Sequence, residues 1–307
     1  MGSSKKRSLP RGCNLALCAM ALAMVCSPAQ ADNVTAPVAN TTSQVRILQD
    51  GLFRRDLLIF EPRNVSGQRP AILLLSFLGG NPGSMATLTE AARLARDYNF
   101  YVLLPQSIAG IWNYNALLGL IDDIDFLDQV IDLAIADLSV DPDRIFMAGY
   151  SNGGLMTYAY ACARADRLAG AATIGSNLRN GIERRCSPNA ALPFYIFHGT
   201  ADPVVPYDGN AITLSSPETA TFWASANGCA PEPSRGTFPD TVDDGTDTVT
   251  DTYSGCRDDA TVRLYTTHNG GHTWPGTPQV QPTLGRVGQD IDETDLLGRL
   301  FSQSPEQ

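Results

Sequence analysis

Lysine is almost missing from this chain: Lys5 and Lys6 are the only two, so every later cation is an arginine or a histidine. The 22 lysines and arginines face 32 acidic residues, which gives a formal net charge of −10. No basic cluster interrupts this acidic balance. Because such a surface repels nucleic-acid phosphates and anionic membranes, we expect neither as a partner.

Long apolar runs are also absent beyond the first 31 residues, so we predict no membrane span. Within those residues, a basic stretch ending at Arg11 precedes an apolar run over 15–25 and the small-residue pattern Ala29-Gln30-Ala31. This order is typical of a cleaved secretory signal peptide. We therefore predict a signal peptide over 1–31 and a secreted protein. The alternative, a lipid anchor on Cys26, lacks the small residues that such processing favours before the cysteine.

Few cysteines remain once the predicted leader is set aside. The four are Cys162, Cys186, Cys229 and Cys256. An even number in an exported chain predicts two disulfides, with three possible pairings. No CxxC motif and no cysteine–histidine cluster is present, so a zinc site is not expected.

One acidic stretch, 231–255, is dense in Asp, Thr, Gly and Pro and lies between two of these cysteines. A calcium loop is conceivable there from Asp240, Asp243, Asp244 and Asp247. The stretch lacks the spacing and the terminal glutamate of an EF-hand. We therefore predict a solvated, disulfide-tied excursion and no metal site.

Short apolar runs alternate with helical patterns along most of the chain. Continuous apolar runs predict strands at 71–75, 100–104, 144–148, 169–174, 192–197 and 261–265. Helical spacing predicts helices at 85–98, 121–138, 155–164 and 219–227. This alternation indicates an α/β fold with a mainly parallel central sheet flanked by helices. We predict a flexible lead-in over 32–45 and a single catalytic domain over 46–302.

The sequence Gly149-Tyr150-Ser151-Asn152-Gly153 follows one predicted strand and precedes a predicted helix. This is the setting of a nucleophile elbow, in which flanking glycines permit a sharp turn that projects Ser151. The amide of Asn152 would then face the developing oxyanion. A chance match in a glycine-rich chain is the alternative, so the partners of the serine decide the question.

An acid and a base follow in the order that an α/β-hydrolase requires. Asp202 lies just after a predicted strand, and its alternative role is to start a turn before Pro203. Of the three histidines, His198 precedes the acid and is expected to be structural. His272, after two glycines, is the predicted base, and His268 is left as a structural or supporting histidine. Such a triad works through an acyl-enzyme and needs no cofactor.

The chain resembles the polyhydroxybutyrate depolymerase and feruloyl esterase-like secreted esterases of the α/β-hydrolase superfamily. The matching segments, spread over most of 65–301, are Trp112-Asn113, Asp122-Asp123, VDPDR at 140–144, the elbow at 149–153, HGTADPVVPY at 198–207, GGHTWPG at 270–276 and DID at 290–292. The resemblance implies an α/β-hydrolase fold and assigns the triad by position to Ser151, Asp202 and His272. It also implies a Cys229–Cys256 bridge, which leaves Cys162 to pair with Cys186.

One departure from the family concerns the first oxyanion loop. Members usually carry His-Gly where this chain has Ser76-Phe77, followed by Leu78. We expect the second oxyanion amide from Leu78 or from Phe77, and Phe77 or Leu78 is also a candidate wall for the acyl group. Trp112 and Trp274 are further candidates for substrate contact, with a place in the core as the alternative.

These patterns predict a secreted serine carboxylic ester hydrolase. Its expected substrates are polyhydroxyalkanoate or other polyester chains, or feruloyl-type esters. One alternative is a serine peptidase of the prolyl-oligopeptidase type, which shares the triad order, although no propeller domain is evident. The other is a catalytically silent binding protein on a hydrolase scaffold.

Overall fold

The computed structural model describes residues 41–62, 66–115, 119, 121–278 and 281–303. The predicted signal peptide and most of the predicted lead-in lie outside this range. A strand already begins at Thr41. The last five residues of the predicted lead-in, 41–45, are therefore part of the folded domain rather than a flexible segment.

Ten strands of the described chain form one sheet. They are β1 (Thr41–Asp50), β2 (Phe53–Pro62), β3 (Arg69–Leu75), β4 (Tyr101–Pro105), β5 (Val140–Tyr150), β6 (Gly170–Ile174), β7 (Phe194–Gly199), β8 (Ser234–Thr237), β9 (Asp247–Tyr253) and β10 (Val262–His268). The α-helices are α1 (Pro82–Leu88), α2 (Ala91–Tyr98), α3 (Asp123–Asp137), α4 (Asn152–Arg164), α5 (Ser216–Asn227) and α6 (Glu293–Ser302).

The strand order is β1-β2-β4-β3-β5-β6-β7-β10-β9-β8. The six central strands, β4, β3, β5, β6, β7 and β10 in spatial order, run parallel to one another. At one edge β2 and β1, and at the other β9 and β8, each pair antiparallel with the next strand toward the centre. The six predicted strands are these six parallel ones. The prediction of an α/β-hydrolase fold with a mainly parallel central sheet is confirmed.

Helices cover both faces of the sheet, which is why its central strands are apolar throughout. Side chains of α3, α4 and α5 pack with Leu73 on one face. Those of α1, α2 and α6 pack with Ile72 and Leu74 on the other. Alternate residues of β3 therefore enter opposite cores, as the two-residue period of a strand requires.

Two elements differ from the sequence prediction. The helix predicted over 85–98 is interrupted, because Glu90 adopts a left-handed conformation with φ of 47° between α1 and α2. The excursion over 231–255 is more than a solvated loop, since it contributes β8 and β9 to the sheet. Polar strands of this kind carry no apolar run that would predict them.

Both disulfides join the predicted partners. Cys162, in α4, is bonded to Cys186, which lies between β6 and β7. Cys229, just after α5, is bonded to Cys256, just after β9. The pairing implied by the family resemblance is confirmed. Each bridge closes a loop of roughly 25 residues, which stabilises the fold by about 3.5 kcal/mol in the chain-entropy model.

The acidic residues of the excursion serve separate local contacts. Asp244 accepts hydrogen bonds from the backbone of Thr246 and Gln289, while Asp247 pairs with His268 at 2.7 Å. Across the described ranges, no three His, Cys, Asp or Glu side chains are grouped to hold a metal ion. None of the helices described there has the length and apolar character needed to cross a bilayer.

Glu293, the first residue of α6, is fully buried. Neither carboxyl oxygen has a hydrogen-bond partner among the described residues. Burial, reinforced by the neighbouring charge of Asp292, raises the pKa of Glu293 well above its usual value. A carboxyl group with a raised folded-state pKa favours the native state at low pH and opposes it as pH rises.

We predict that Glu293→Gln becomes progressively more stable than the wild type as pH rises above about 4.5, the ordinary range of a glutamate. Between the unfolded- and folded-state pKa values, the difference should grow by about 1.4 kcal/mol per pH unit. Urea unfolding of both proteins at pH 4, 5.5 and 7 measures it. A difference in unfolding free energy that stays constant with pH would contradict a buried, protonated carboxyl group.

Candidate active site

The sharp turn between β5 and α4 places Ser151 at the carboxyl edge of the sheet. Ser151 has φ of 54° and ψ of −114°, a strained backbone conformation for a residue with a side chain. Gly153 makes the turn possible, because a Cβ atom there would lie 2.1 Å from the carbonyl oxygen of Leu75. The predicted strand–turn–helix setting of the serine is present, with the strain that an elbow imposes.

The side chain of Ser151 is partly exposed and makes no hydrogen bond within the described part of the chain. Its backbone N–H donates to Ile174 O at 2.9 Å, which fixes the elbow against the end of β6. Serine–base hydrogen bonds are often long in enzymes without substrate. The structure thus leaves Ser151 Oγ without a hydrogen-bond partner among the described residues, on a partly exposed residue at the top of the turn.

Asp202 and His272, predicted as acid and base, are in direct contact. Asp202 Oδ2 lies 2.7 Å from His272 Nδ1. The other carboxylate oxygen accepts hydrogen bonds from the backbone N–H groups of Val204 and Val205, at 2.7 and 2.8 Å. Both side chains are buried. The carboxylate is therefore held from its own loop while it orients the imidazole, leaving Nε2 as the nitrogen not bound to Asp202.

Tyr150, directly before the nucleophile, links the elbow to the loop that carries His272. Its hydroxyl donates to the carbonyl oxygen of His272 at 2.6 Å. The two rings lie with centroids 5.2 Å apart. Gly175 lies against the same imidazole, since a Cβ atom there would sit 3.0 Å from His272 Nδ1. These contacts keep the base beside the serine turn.

His198 takes part in the site, although the sequence suggested only a structural residue at a strand end. Its Nε2 lies 3.1 Å from Asp202 Oδ2 and 2.9 Å from Val205 O. Its Nδ1 lies 2.9 Å from Ser216 Oγ and 3.2 Å from Asn177 Oδ1. The acid is therefore shared by two histidine rings. The feature of the sequence that could have predicted this contact is the spacing His198-x-x-x-Asp202 on a tight turn.

The electrostatics of Asp202 follow from this arrangement. Burial alone would raise its pKa, but hydrogen bonds from His198 and His272, with the charge of both rings, more than offset burial. The net result is a pKa well below the usual value for an aspartate. The carboxylate therefore stays ionised across the neutral range, as a group that orients and stabilises an imidazolium must.

The two tryptophans predicted as substrate contacts are core residues instead. Trp112 and Trp274 are each 1% exposed. The indole N–H of Trp274 donates to Thr294 Oγ1 at 3.1 Å, and that of Trp112 donates to Ser76 O at 3.0 Å. The prediction that these rings meet substrate is therefore wrong for this structure. The alternative, a buried hydrogen-bonded indole, explains both.

The residues expected to form the oxyanion hole have free backbone donors. The N–H groups of Phe77, Leu78 and Asn152 donate to no residue of the described chain. Phe77 is partly buried and packs edge-on against Tyr150, with ring centroids 5.6 Å apart. Leu78 is 62% exposed. Phe77 thus lies beside the elbow, while the Leu78 side chain points into solvent.

His268, the remaining histidine, does not join the group around Asp202. Its Nδ1 lies 2.7 Å from Asp247 Oδ2, and both side chains are about half exposed. This contact ties the end of β10 to the start of β9. The prediction that His268 is a structural histidine agrees with that position.

Comparison with known proteins adds the family context. The sequence pattern of the phospholipase/carboxylesterase family matches residues 119–220. Feruloyl esterase B of Piromyces equi is 28% identical over 235 residues, which cover 71% of this chain and 42% of that protein. Feruloyl esterase C of Emericella nidulans is 34% identical over 155 residues, which cover 49% of this chain and 50% of that protein.

A solved structure shares the fold. The acetyl xylan esterase from Aspergillus awamori aligns with a TM-score of 0.56 at 16% identity, covering 75% of this chain and 94% of that one. At this identity the likeness concerns the fold alone. The chain spans about half the length of the two curated relatives described above.

The sheet order and the elbow give this chain the α/β-hydrolase fold, which the solved acetyl xylan esterase shares. In sequence it is similar to two curated feruloyl esterases.

We predict that Asp202→Asn lowers kcat by about four orders of magnitude, because an amide cannot hold the imidazole in its working tautomer. The variant should also lose about 3–5 kcal/mol of stability at pH 7, because it breaks a buried pair by removing one charged partner. Because the folded-state pKa of Asp202 is depressed, its contribution exists above the ordinary aspartate pKa and fades as pH falls below it. Ester hydrolysis at pH 7 measures the first effect, and urea unfolding at pH 7, 3.5 and 2 measures the second. An equal stability loss at pH 7 and at pH 2 would argue against the ionised carboxylate.

Proposed function

We propose that the chain is a secreted serine carboxylic ester hydrolase that acts through an acyl-enzyme. One observation carries the proposal: the strained Ser151 turn stands beside a buried Asp202–His272 pair 2.7 Å apart. A folded protein keeps backbone strain of this kind only where its surroundings over-determine it, and such strain clusters at functional sites.

The proposed reaction uses three side chains. Ser151 Oγ attacks the ester carbonyl carbon and its proton passes to His272 Nε2, the nitrogen that Asp202 leaves free. The oxyanion is stabilised by the amide of Asn152 and by that of Leu78 or Phe77. The alcohol leaves with the proton from His272. A water molecule, deprotonated by His272, then attacks the acyl-enzyme. The bond from Ser151 Oγ to the acyl carbon breaks, Oγ regains its proton from His272, and the carboxylic acid departs.

We propose an apolar acyl group for the substrate. Three exposed aliphatic side chains come from loops at the carboxyl edge of the sheet: Leu78, Ile111 and Val204, which are 62%, 44% and 53% exposed. The loops that carry Leu78 and Ile111 are joined, since Gly79 N–H donates to Gly110 O at 2.8 Å. Val204 follows the acid. Such a rim suits hydroxyalkanoate chains or the aromatic acyl group of feruloyl esters.

Export is part of the proposal. It is supported by the leader pattern over 1–31 and by two disulfides, which persist in oxidising compartments. The predicted leader lies outside the described residues.

The test compares wild type with Ser151→Ala on p-nitrophenyl butyrate, methyl ferulate and a hydroxybutyrate oligomer. We expect the wild type to cleave at least one ester and the variant to lose a factor of about 10⁴ or more in kcat. The relative rates then choose the substrate class. A wild type inactive on every ester, but active on a peptide, would replace the esterase with a peptidase. No activity on either would favour a silent binding scaffold.

Phe77 offers a test of acyl recognition. We predict that Phe77→Gly changes the ratio of kcat/KM between long and short acyl chains, because it removes an apolar wall beside Tyr150. The loss of one aromatic wall should be worth about 1–3 kcal/mol, or roughly 10- to 200-fold in discrimination. p-Nitrophenyl esters of long and of short acyl chains give the ratio. Parallel changes for all acyl groups would assign Phe77 to packing alone.

A further inference from the structure

Trp112 lies between the two parts of the chain that carry the expected oxyanion donors. Its backbone N–H donates to the side-chain oxygen of Asn152 at 2.8 Å. Its indole N–H donates to the carbonyl oxygen of Ser76 at 3.0 Å. Asn152 follows the nucleophile, and Ser76 directly precedes Phe77. One buried residue therefore binds both halves of the expected oxyanion hole.

The bond to Ser76 has a specific consequence. The Ser76 carbonyl and the Phe77 N–H belong to one planar peptide group. By holding the oxygen, the indole fixes the direction of that N–H and the starting point of the Leu78 turn. The turn is completed by a hydrogen bond from Gly80 N to Phe77 O at 2.9 Å.

The loop that carries Trp112 holds the same turn at a second point. Gly79 N–H donates to Gly110 O at 2.8 Å. Gly110 also approaches Gly79 so closely that a Cβ atom on it would lie 2.9 Å from Gly79 Cα. The turn over 76–80 is thus bound to the loop that carries Trp112 by one backbone hydrogen bond and by the indole hydrogen bond to Ser76. The His-Gly pair usual in the family is not needed for this connection.

A buried ion pair anchors the Trp112 loop in turn. Asp123 Oδ2 accepts the backbone N–H of Asn113 at 2.6 Å. Asp123 Oδ1 pairs with Arg55 Nη1, also at 2.6 Å, and both side chains are buried. The guanidinium of Arg55 lies over the Phe126 ring at 3.4 Å and within 5.5 Å of the Trp112 ring. The loop is therefore fixed on the side away from the elbow as well.

We propose that Trp112 is a positioning residue that sets the separation of the two oxyanion amides, through its indole bond to Ser76 and its backbone bond to Asn152. This inference rests on the proposed esterase function. It explains why a tryptophan two residues beyond Gly110 is fully buried and yet uses both of its N–H groups on the site.

The test is Trp112→Phe, which keeps a buried aromatic ring but removes the indole N–H. The matched control is Trp223→Phe: Trp223 is equally buried in the same core, and its Nε1 has no partner among the described residues. We expect Trp112→Phe to lower kcat on p-nitrophenyl butyrate about ten-fold, less than the loss of a whole oxyanion donor. KM should change less than about two-fold, since the oxyanion forms only in the transition state.

A second readout separates positioning from loss of packing. A trifluoromethyl ketone adds to the serine as a hemiketal oxyanion, so its inhibition constant should rise about ten-fold in parallel with the fall in kcat/KM. Trp223→Phe should leave both quantities near the wild-type values, whatever it does to Tm. In a double-mutant cycle with Asn152→Ala, the two effects should be less than additive, because both act on one separation.

Three results would overturn the inference: an unchanged kcat, a change confined to KM, or losses in Trp112→Phe that Trp223→Phe reproduces at equal Tm. If Trp112→Phe does not fold, replacement of Trp112 by 3-benzothienylalanine offers a second route. It keeps the size of the indole ring and removes only its N–H donor, so kcat should fall about as much as expected for Trp112→Phe, and an unchanged kcat would overturn the inference. A wild type that hydrolyses no ester would instead reject the proposed function.

Discussion

The close approach of α4 to the end of β3 is the constraint on which the rest of the site depends. Gly153 lies so near Leu75 that any side chain would push the helix away from the sheet. That contact brings the serine turn, the amide of Asn152 and the Ser76–Phe77 loop to one edge. The parallel strands β7 and β10 end at the same edge and deliver Asp202 and His272 there. The direction of the parallel strands determines which edge of the sheet carries the site. The absence of a side chain at Gly153 sets the distance between α4 and the end of β3.

The buried charged groups around the site hold neighbouring groups in position. The carboxylate of Asp202 is surrounded by two imidazoles and two backbone N–H groups. Hydrogen bonds from these several partners offset the free-energy cost of removing the carboxylate from water. Asp123 and Arg55 form a comparable pair behind the oxyanion loop. A buried pair of this kind contributes little net stability, but it fixes the groups bonded to it in one arrangement. Glu293 has no such partner, so its carboxyl group stays buried at a cost that grows with pH.

Much of this architecture could be predicted from local patterns. Apolar runs identified all six parallel strands because both faces of these strands are covered, and the elbow was visible because its glycines stand on either side of the serine. The polar strands β8 and β9, and the break at Glu90, follow from tertiary pairing and backbone geometry that no local pattern records. The same holds for the site: the spacing of Ser151, Asp202 and His272 pointed to three residues, whereas the contacts of His198 and Trp112 depend on loops that meet only after folding.

The bridge between Cys162 and Cys186 fastens the helix that begins at the serine turn to the segment leading into β7, the strand before Asp202. The elements that carry nucleophile and acid are therefore joined covalently as well as by packing. A thiol-rich cytosol would keep these cysteines reduced. Chains made there would fold with a looser connection between the two elements, and the yield of competent protein would depend on the redox state of the compartment in which the chain matures.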